Sequence, residues 1–276
     1  MSELRQKFPL KILLKVADLS RSTYYYHLKQ SNEDKYQAIK EEINEIYNRN
    51  RKIYGYRRIL IVLRQQNIKI NHKTVHKLMK SMGLQGKRQK FKYKSYKGDV
   101  GKIAENVIGR NFEATKPFEK LATDVTEFAV CDRKVYLSPV IDLFNNEVLS
   151  YSISLSPNFE QTREMLRELI KKLPKEATPI LHSDQGWQYQ MNEYQRTLKE
   201  HKIIQSMSRK GNCLDNSVME NFFGRLKVEM FYGEKFHTVE EFIHCLKDYI
   251  DYWNNERISL TLNGMSPVQY RTHSQN

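Results

Sequence analysis

The stretch from Lys120 to Leu155 constrains the fold most. It reads "KLATDVTEFAV", "KVYLSPVIDLF" and "EVLSYSISL", three β-branched, aromatic-rich runs broken by short polar turns at Cys131–Lys134 and Asn145–Asn146. A helical pattern follows ("FEQTREMLRELIKKL"), then a short apolar strand ("PILHSD"), a helix ("NEYQRTLKEHK") and another strand ("IIQSMS"). Two more amphipathic helices close the chain. One carries Met219, Phe222, Phe223, Leu226 and Met230 on a single stripe. The other carries Val239, Phe242, Ile243, Leu246, Ile250 and Trp253. A meander followed by alternating helices and strands predicts an α/β fold, a mixed five-stranded sheet with helices on both faces, over residues 117–276.

The residues before Pro117 read differently. "LKILLKVADLSRSTYYYHLKQ" predicts two short helices around a turn at Leu19–Ser20, with Ser20 capping the second. Residues 1–30 thus form a helix-turn-helix-like segment, though simple packing of a helical hairpin explains the pattern equally well. Residues 31–83 predict an all-α unit. Ile39, Ile43, Ile46 and Tyr47 share one stripe, "YGYRRILIVLRQQ" forms the next helix, and Asn71 caps a third that ends at Gly83. Lys73, Lys77 and Lys80 lie on the outer side of that third helix. Residues 84–116 include "GKRQKFKYKSYKGDVGK", where Lys87, Arg88, Lys90, Lys92 and Lys94 alternate with aromatics. This is a basic linker beside a nucleic-acid path, the bases for phosphates and the aromatics for unpaired nucleobases.

Charge supports the division. Residues 1–116 hold 27 Lys and Arg against 10 Asp and Glu; residues 117–276 hold 19 against 22, and the whole chain is +14. A cationic half beside a slightly acidic one points to a polyanion-binding part joined to a part with another task. The densest apolar run, "ILIVL", is far short of the ~18 residues of a membrane span, and the N-terminus lacks a signal-peptide core. A soluble, cytoplasmic chain is expected. Cys131, Cys213 and Cys245 are too few and too scattered for a disulfide framework or a zinc knuckle, and buried free thiols are expected.

Most acids of the second half have structural explanations: Asp132 in a turn, Asp142 at a strand end, Asp215 as a helix cap, Glu164 and Glu168 on a solvent face. Three do not. Asp124 interrupts an apolar strand between Ala122 and Thr126. Asp184 ends the strand "PILHSD", and Glu220 lies off the apolar stripe of its helix, with Gly224 at its i+4 position. Carboxylates that converge repel one another unless cations bind between them. Oxygen donors suit Mg²⁺ or Mn²⁺, and two such ions ~3.5–4 Å apart promote phosphoryl transfer.

The spacing now carries weight: 59 residues separate Asp124 from Asp184, and 35 separate Asp184 from Glu220. With "TDVTEF", "HSDQGWQY", "SRKGNCLDNSVMENFFGRLK", "YIDYWNNERI", "LNGMSPVQY" and "YGYRRI", the chain resembles the DDE transposases of the insertion sequence three family. Specifically, it resembles the downstream-frame, OrfB-type product, and the match covers nearly the whole chain. The resemblance implies an RNase H-like integrase catalytic core with Asp124, Asp184 and Glu220 as catalytic residues and metal ligands for two divalent cations, Mg²⁺ or Mn²⁺. It implies cleavage at element ends and 3′-OH strand transfer, with Lys227 holding DNA phosphate. It also implies an upstream-frame (OrfA-type) DNA-binding partner and a homo-oligomer on DNA. Two positions depart from the family pattern: Leu121 stands where many members have Trp, and Trp187 where a smaller residue is usual. His182 reads as a packing residue rather than a ligand, since hard cations prefer oxygen. Two rival readings share the fold, an inactive DNA-binding regulator and a nuclease that only hydrolyses.

Overall fold

The computed structural model describes residues 4–30, 34–87, 103–209 and 213–274. The first helices are α1 (Leu10–Val16) and α2 (Arg21–Gln30), and the Ser20 hydroxyl accepts the Thr23 N–H at 3.0 Å, the expected cap. Ile12 and Val16 of α1 stay exposed.

Helices α3 (Gln37–Arg49), α4 (Tyr56–Gln65) and α5 (His72–Ser81) form the predicted all-α unit. Their inner stripes bury Ile43, Ile46, Ile59, Leu63, Val75 and Met79. The Asn71 side chain caps α5 through the Lys73 N–H, and Gly83 leaves it at φ +70°, a conformation glycine adopts without strain. This unit shares a continuous apolar core with the C-terminal half. Tyr54 accepts the Ile258 N–H at 2.9 Å, and Gln65 donates to the Gly264 carbonyl. A Cβ on Gly264 would come within 2.6 Å of the Ile61 side chain, so glycine permits this close approach.

Six strands form one mixed sheet: β1 (Lys120–Thr123), β2 (Thr126–Val130), β3 (Arg133–Asp142), β4 (Val148–Ser154), β5 (Ile180–Ser183) and β6 (Ile204–Met207). β3 pairs antiparallel with β1, β2 and β4; β5 runs parallel to both β1 and β6. The sixth strand is a division of the expected first one. β1 and β2 pair with β3 in one unbroken register, Thr123 opposite Val140 and Thr126 opposite Leu137. Between them Asp124 falls opposite Pro139, which has no N–H for the ladder. The strand opens there, and its single acid stands at the break.

Helices α6 (Phe159–Lys172) and α7 (Asn192–Glu200) cover one face; α8 (Ser217–Leu226), α9 (Val239–Asn255) and α10 (Pro267–Ser274) complete the chain. Alternation along the strands sorts side chains between two cores. Leu121, Val140, Leu149 and Leu181 pack with α6 and α7. Ala122, Ile141 and Val148 pack with α8, α9 and the N-terminal helices. This is the RNase H-like arrangement. Residues 117–276 carry a C-terminal helical tail that includes α10, and a π-helical turn at Lys227–Phe231, continuous with α8, was not anticipated. Among the described residues, no helix is long and apolar enough to cross a membrane. The cysteine expectation needs correcting: Cys131 is exposed in the tight β2–β3 turn at φ +50°, Cys245 is half-buried, and the side chain of Cys213 lies outside the described residues.

Candidate active site

Strand register brings the two aspartates together. In the parallel β1–β5 pair Ala122 lies beside His182. Two residues on, and on the same face, Asp124 and Asp184 are neighbours just past their strand ends, on strands about 4.8 Å apart. That face is the one covered by α8, which contributes Glu220 from its first turn, where the helix dipole favours an anion.

Burial raises the pKa of Asp124 well above the usual carboxylate range, and the charge of Asp184 adds to it; Glu220 contributes less. Burial raises Asp184 and Glu220 as well. Hydrogen bonds oppose this at the aspartates. Asp124 accepts from the Val125 N–H at 2.7 Å and from the Asn216 amide at 2.8 Å, and Asp184 accepts from the Gly186 N–H at 2.9 Å. No Lys or Arg among the described residues forms a salt bridge with any of the three acids. The Asn216 side-chain oxygen, buried beside Asp124, has no hydrogen-bond partner. Hard oxygen donors, mutual repulsion and an orphaned buried oxygen suit a hard cation. Among the described residues, no three His, Cys, Asp or Glu side chains are already closed around a metal position.

A polar frame surrounds the pair. His182 is fully buried, with Nδ1 at 2.9 Å from the Ser206 hydroxyl and Nε2 at 2.8 Å from the Asp215 carbonyl. Burial lowers its pKa, and both ring nitrogens are spent on this frame, which fits the expected packing role. The Asp215 carboxylate does not cap α8. Arg209, Arg110 and Asn106 bind it instead, and the Arg209 bond leads in holding it far below the usual range. The clamp fixes the backbone that presents Asn216 to Asp124. Arg110 and Asn106 belong to a segment that begins along β6, where Val107 and Ile108 donate to Ser206 and Met207 donates to the Glu105 carbonyl.

Lys227 begins the π-turn, half-buried, with its ammonium 5.3 Å from the centre of the Phe128 ring and near Asp124 and Glu127. A Cβ on Gly224 would meet nothing within 4 Å, so the surface next to Glu220 is open. Trp187, in the turn after Asp184, is 49% exposed. Lys73, Lys77 and Lys80 line the exposed face of α5. Lys87 instead donates to Glu234 at 2.8 Å and to the Glu229 carbonyl. Arg88, Lys90, Lys92 and Lys94, with the interleaved aromatics, lie outside the described residues. Sequence reasoning missed Asn216 and the clamp, whose partners lie up to 109 positions apart.

Profiles described as integrase core domain match residues 114–213 and 220–274, and one described as HTH-like domain matches residues 34–92. The chain is 53% identical over 275 residues to the putative transposase InsK for insertion sequence element IS150 of Escherichia coli (strain K12), covering 99% of this chain and 97% of that protein. It is 30% identical over 271 residues to transposase InsF for insertion sequence IS3A of the same organism, covering 96% and 94%. Among solved structures, the fold matches the simian T-cell lymphotropic virus intasome in complex with PP2A regulatory subunit B56 gamma. There the TM-score is 0.50 at 14% identity, covering 73% of this chain and 67% of that one. With this sheet, these two core matches and a relative aligned from end to end, the chain belongs to the insertion sequence three family of transposases.

Proposed function

We propose that this chain catalyses cleavage at insertion-sequence ends and 3′-OH strand transfer, using Asp124, Asp184 and Glu220. The family supports a role in DNA transposition generally. The observation that carries the finer reading is Asp124 and Asp184 side by side just past the ends of two paired strands, both buried and neither in a salt bridge with a described Lys or Arg. The residues fit two divalent cations, Mg²⁺ or Mn²⁺, held by the two aspartates and Glu220. When bound, these would offset the acids' charge and polarise the phosphodiester for attack by water or a 3′-OH.

The chain's own groups do the rest. The Asn216 amide and the Val125 N–H hold the Asp124 carboxylate in one orientation, and the Asp215 clamp fixes Asn216. Lys227, half-buried beside Asp124, is poised for a DNA phosphate. Its ammonium already balances negative charge there, and Gly224 leaves the approach open. Lys73, Lys77 and Lys80, with Arg88, Lys90, Lys92 and Lys94, would supply sequence-independent phosphate contacts, and Lys87 would do so only by leaving Glu234. We assign residues 1–30 to a helix-turn-helix-like segment and 31–83 to the helical DNA-binding domain. Residues 84–116 are the basic linker and 117–276 the catalytic domain. The chain would act in the bacterial cytoplasm as an oligomer on DNA, with an upstream-frame partner that recognises the ends.

The test is a joining assay with labelled duplex carrying the element's own ends, Mg²⁺ or Mn²⁺, and the upstream-frame protein. Joined strands are expected. Nicks without joining would identify a nuclease, and binding without chemistry an inactive regulator.

A further inference from the structure

A cleft of about 230 Å³ lies on another side of α8, against the turn from Ser259 to Pro267. It is lined by Asn221 and Arg225 of α8, by Trp253 of α9, by Arg257, and by Thr261 and Pro267 of that turn. At 3.6 residues per turn, Arg225 sits about 140° around the helix from Glu220. The cleft is therefore separate from the carboxylates and shares only their helix.

The charges beside it do not balance. Glu229, buried in the π-turn, is saturated: both its oxygens accept from Arg257, at 2.6 and 2.7 Å, and one also accepts the Tyr249 hydroxyl at 2.8 Å. Arg58 stands 3.8 Å away. Arg225 is near the same carboxylate but forms no hydrogen bond or ion pair with any described residue. Three guanidiniums thus surround one carboxylate. Burial and the neighbouring Arg257 charge both work against the Arg225 cation, so an incoming anion would relieve it. Arg225 is exposed enough to reach one, Asn221 offers an amide donor in the same cleft, and the Thr261 hydroxyl, paired with that of Ser259 at 2.9 Å, can donate to an anion while accepting from Ser259.

We infer that this cleft seats a backbone phosphate of DNA on Arg225, flanked by Asn221 and Thr261. The inference rests on reading the chain as a DNA-acting enzyme. A helix is ~10–12 Å across, so the seated phosphate lies about three nucleotides from the reacting bond at 3.4 Å per nucleotide. Catalytic helix α8 would then be gripped by DNA on two sides, at Lys227 and at Arg225.

The test compares wild type, Arg225→Met, Thr261→Asp and Lys227→Met in the full chain. Binding is measured against salt on two duplexes, one carrying the element's end and one of random sequence. Arg225→Met is expected to weaken binding about 3- to 10-fold and to reduce the slope of log affinity against log salt by about one. Thr261→Asp, on an exposed turn, is expected to weaken binding similarly with an unchanged melting temperature. It decides the matter should Arg225→Met melt early. Loss confined to the end duplex assigns the phosphate to the element, and loss confined to the random duplex assigns it to the target. Unchanged affinity and slope for both cleft variants on both DNAs, with Lys227→Met weakened, overturns the inference and leaves the active-site reading intact. Failure of wild type to bind either duplex overturns both.

Discussion

Replacing Asp124 by Asn keeps shape and removes one charge of the buried pair, and its effect should reverse sign with divalent metal. Asp124 and Asp184 sit on adjacent strands about 4.8 Å apart. Taking that strand spacing for the distance between the carboxylates, two unit charges repel by about 3.5 kcal/mol at an effective dielectric of ~20. Against this, each of the two hydrogen bonds to Asp124 loses about 1 kcal/mol when its acceptor becomes neutral. Geometry permits both to survive. An Asn at 124 would accept the Val125 N–H and donate to the Asn216 side-chain oxygen, which has no partner now, after an amide flip. Above the folded pKa of Asp124, where both acids are ionised, the net is a stabilisation of about 1–2 kcal/mol without metal, or about 3–6 °C in melting temperature. Metal reverses the order, because only wild type gains, by about 2.7 kcal/mol at a hundredfold excess over Kd. The pH dependence has a definite sign. Asp124's folded pKa is raised, so the native state holds the proton more tightly than the unfolded chain. Metal-free stability therefore falls as pH rises from about 4 through the folded pKa, and Asp124→Asn flattens that fall. Calorimetric melting of both proteins, in chelator and in Mg²⁺, reads all of this. An Asp124→Asn protein less stable than wild type in chelator, with no Mg²⁺ effect on wild type, would refute the reasoning.

Further outcomes concern the catalytic helix and its surroundings. Gly224→Ala places a methyl in open space within α8 and should stabilise the protein by about 0.5–1 kcal/mol. The same methyl stands where DNA must approach Glu220, so strand joining should fall; unchanged joining would mean that DNA does not pass there. Glu229→Gln leaves Arg257 buried without its counter-charge and should cost about 3–5 kcal/mol. Because Arg58 of α4 shares that carboxylate, hydrogen exchange should rise in α4 as well as in α9, and an effect confined to α9 would show the node does not join them. DNA affinity should fall steeply with salt through the basic first half, and a flat response would contradict the charge argument.

The carboxylates were legible from sequence because each breaks a local rule: Asp124 an apolar strand, Asp184 a strand end, Glu220 an amphipathic stripe with glycine at i+4. The sheet was legible from its β-branched, aromatic-rich runs broken by short polar turns, whereas the sorting of Leu121 and Ala122 to opposite cores showed only in the fold. What stayed hidden depends on distant partners. Asn216 looks like an ordinary cap residue until Asp124, 92 positions away, accepts its amide. Asp215 looked like a helix cap because short acids before helices often are, but two arginines outcompeted the backbone for it. Cys131 was expected to be buried on the general habit of free thiols, yet the tight turn after β2 turns it outward. Lys87 was one base in a cationic run, and only the folded chain pairs it with Glu234.

The central claim is that Asp124, Asp184 and Glu220 together hold the divalent ions. Its most direct test is a Mn²⁺ titration of the DNA-bound protein, followed by electron paramagnetic resonance, for wild type and Glu220→Gln. Two ions per chain in wild type, and one or none in an equally folded Glu220→Gln protein, is the predicted result. Equal Mn²⁺ uptake by both proteins, at the same affinity, would contradict it.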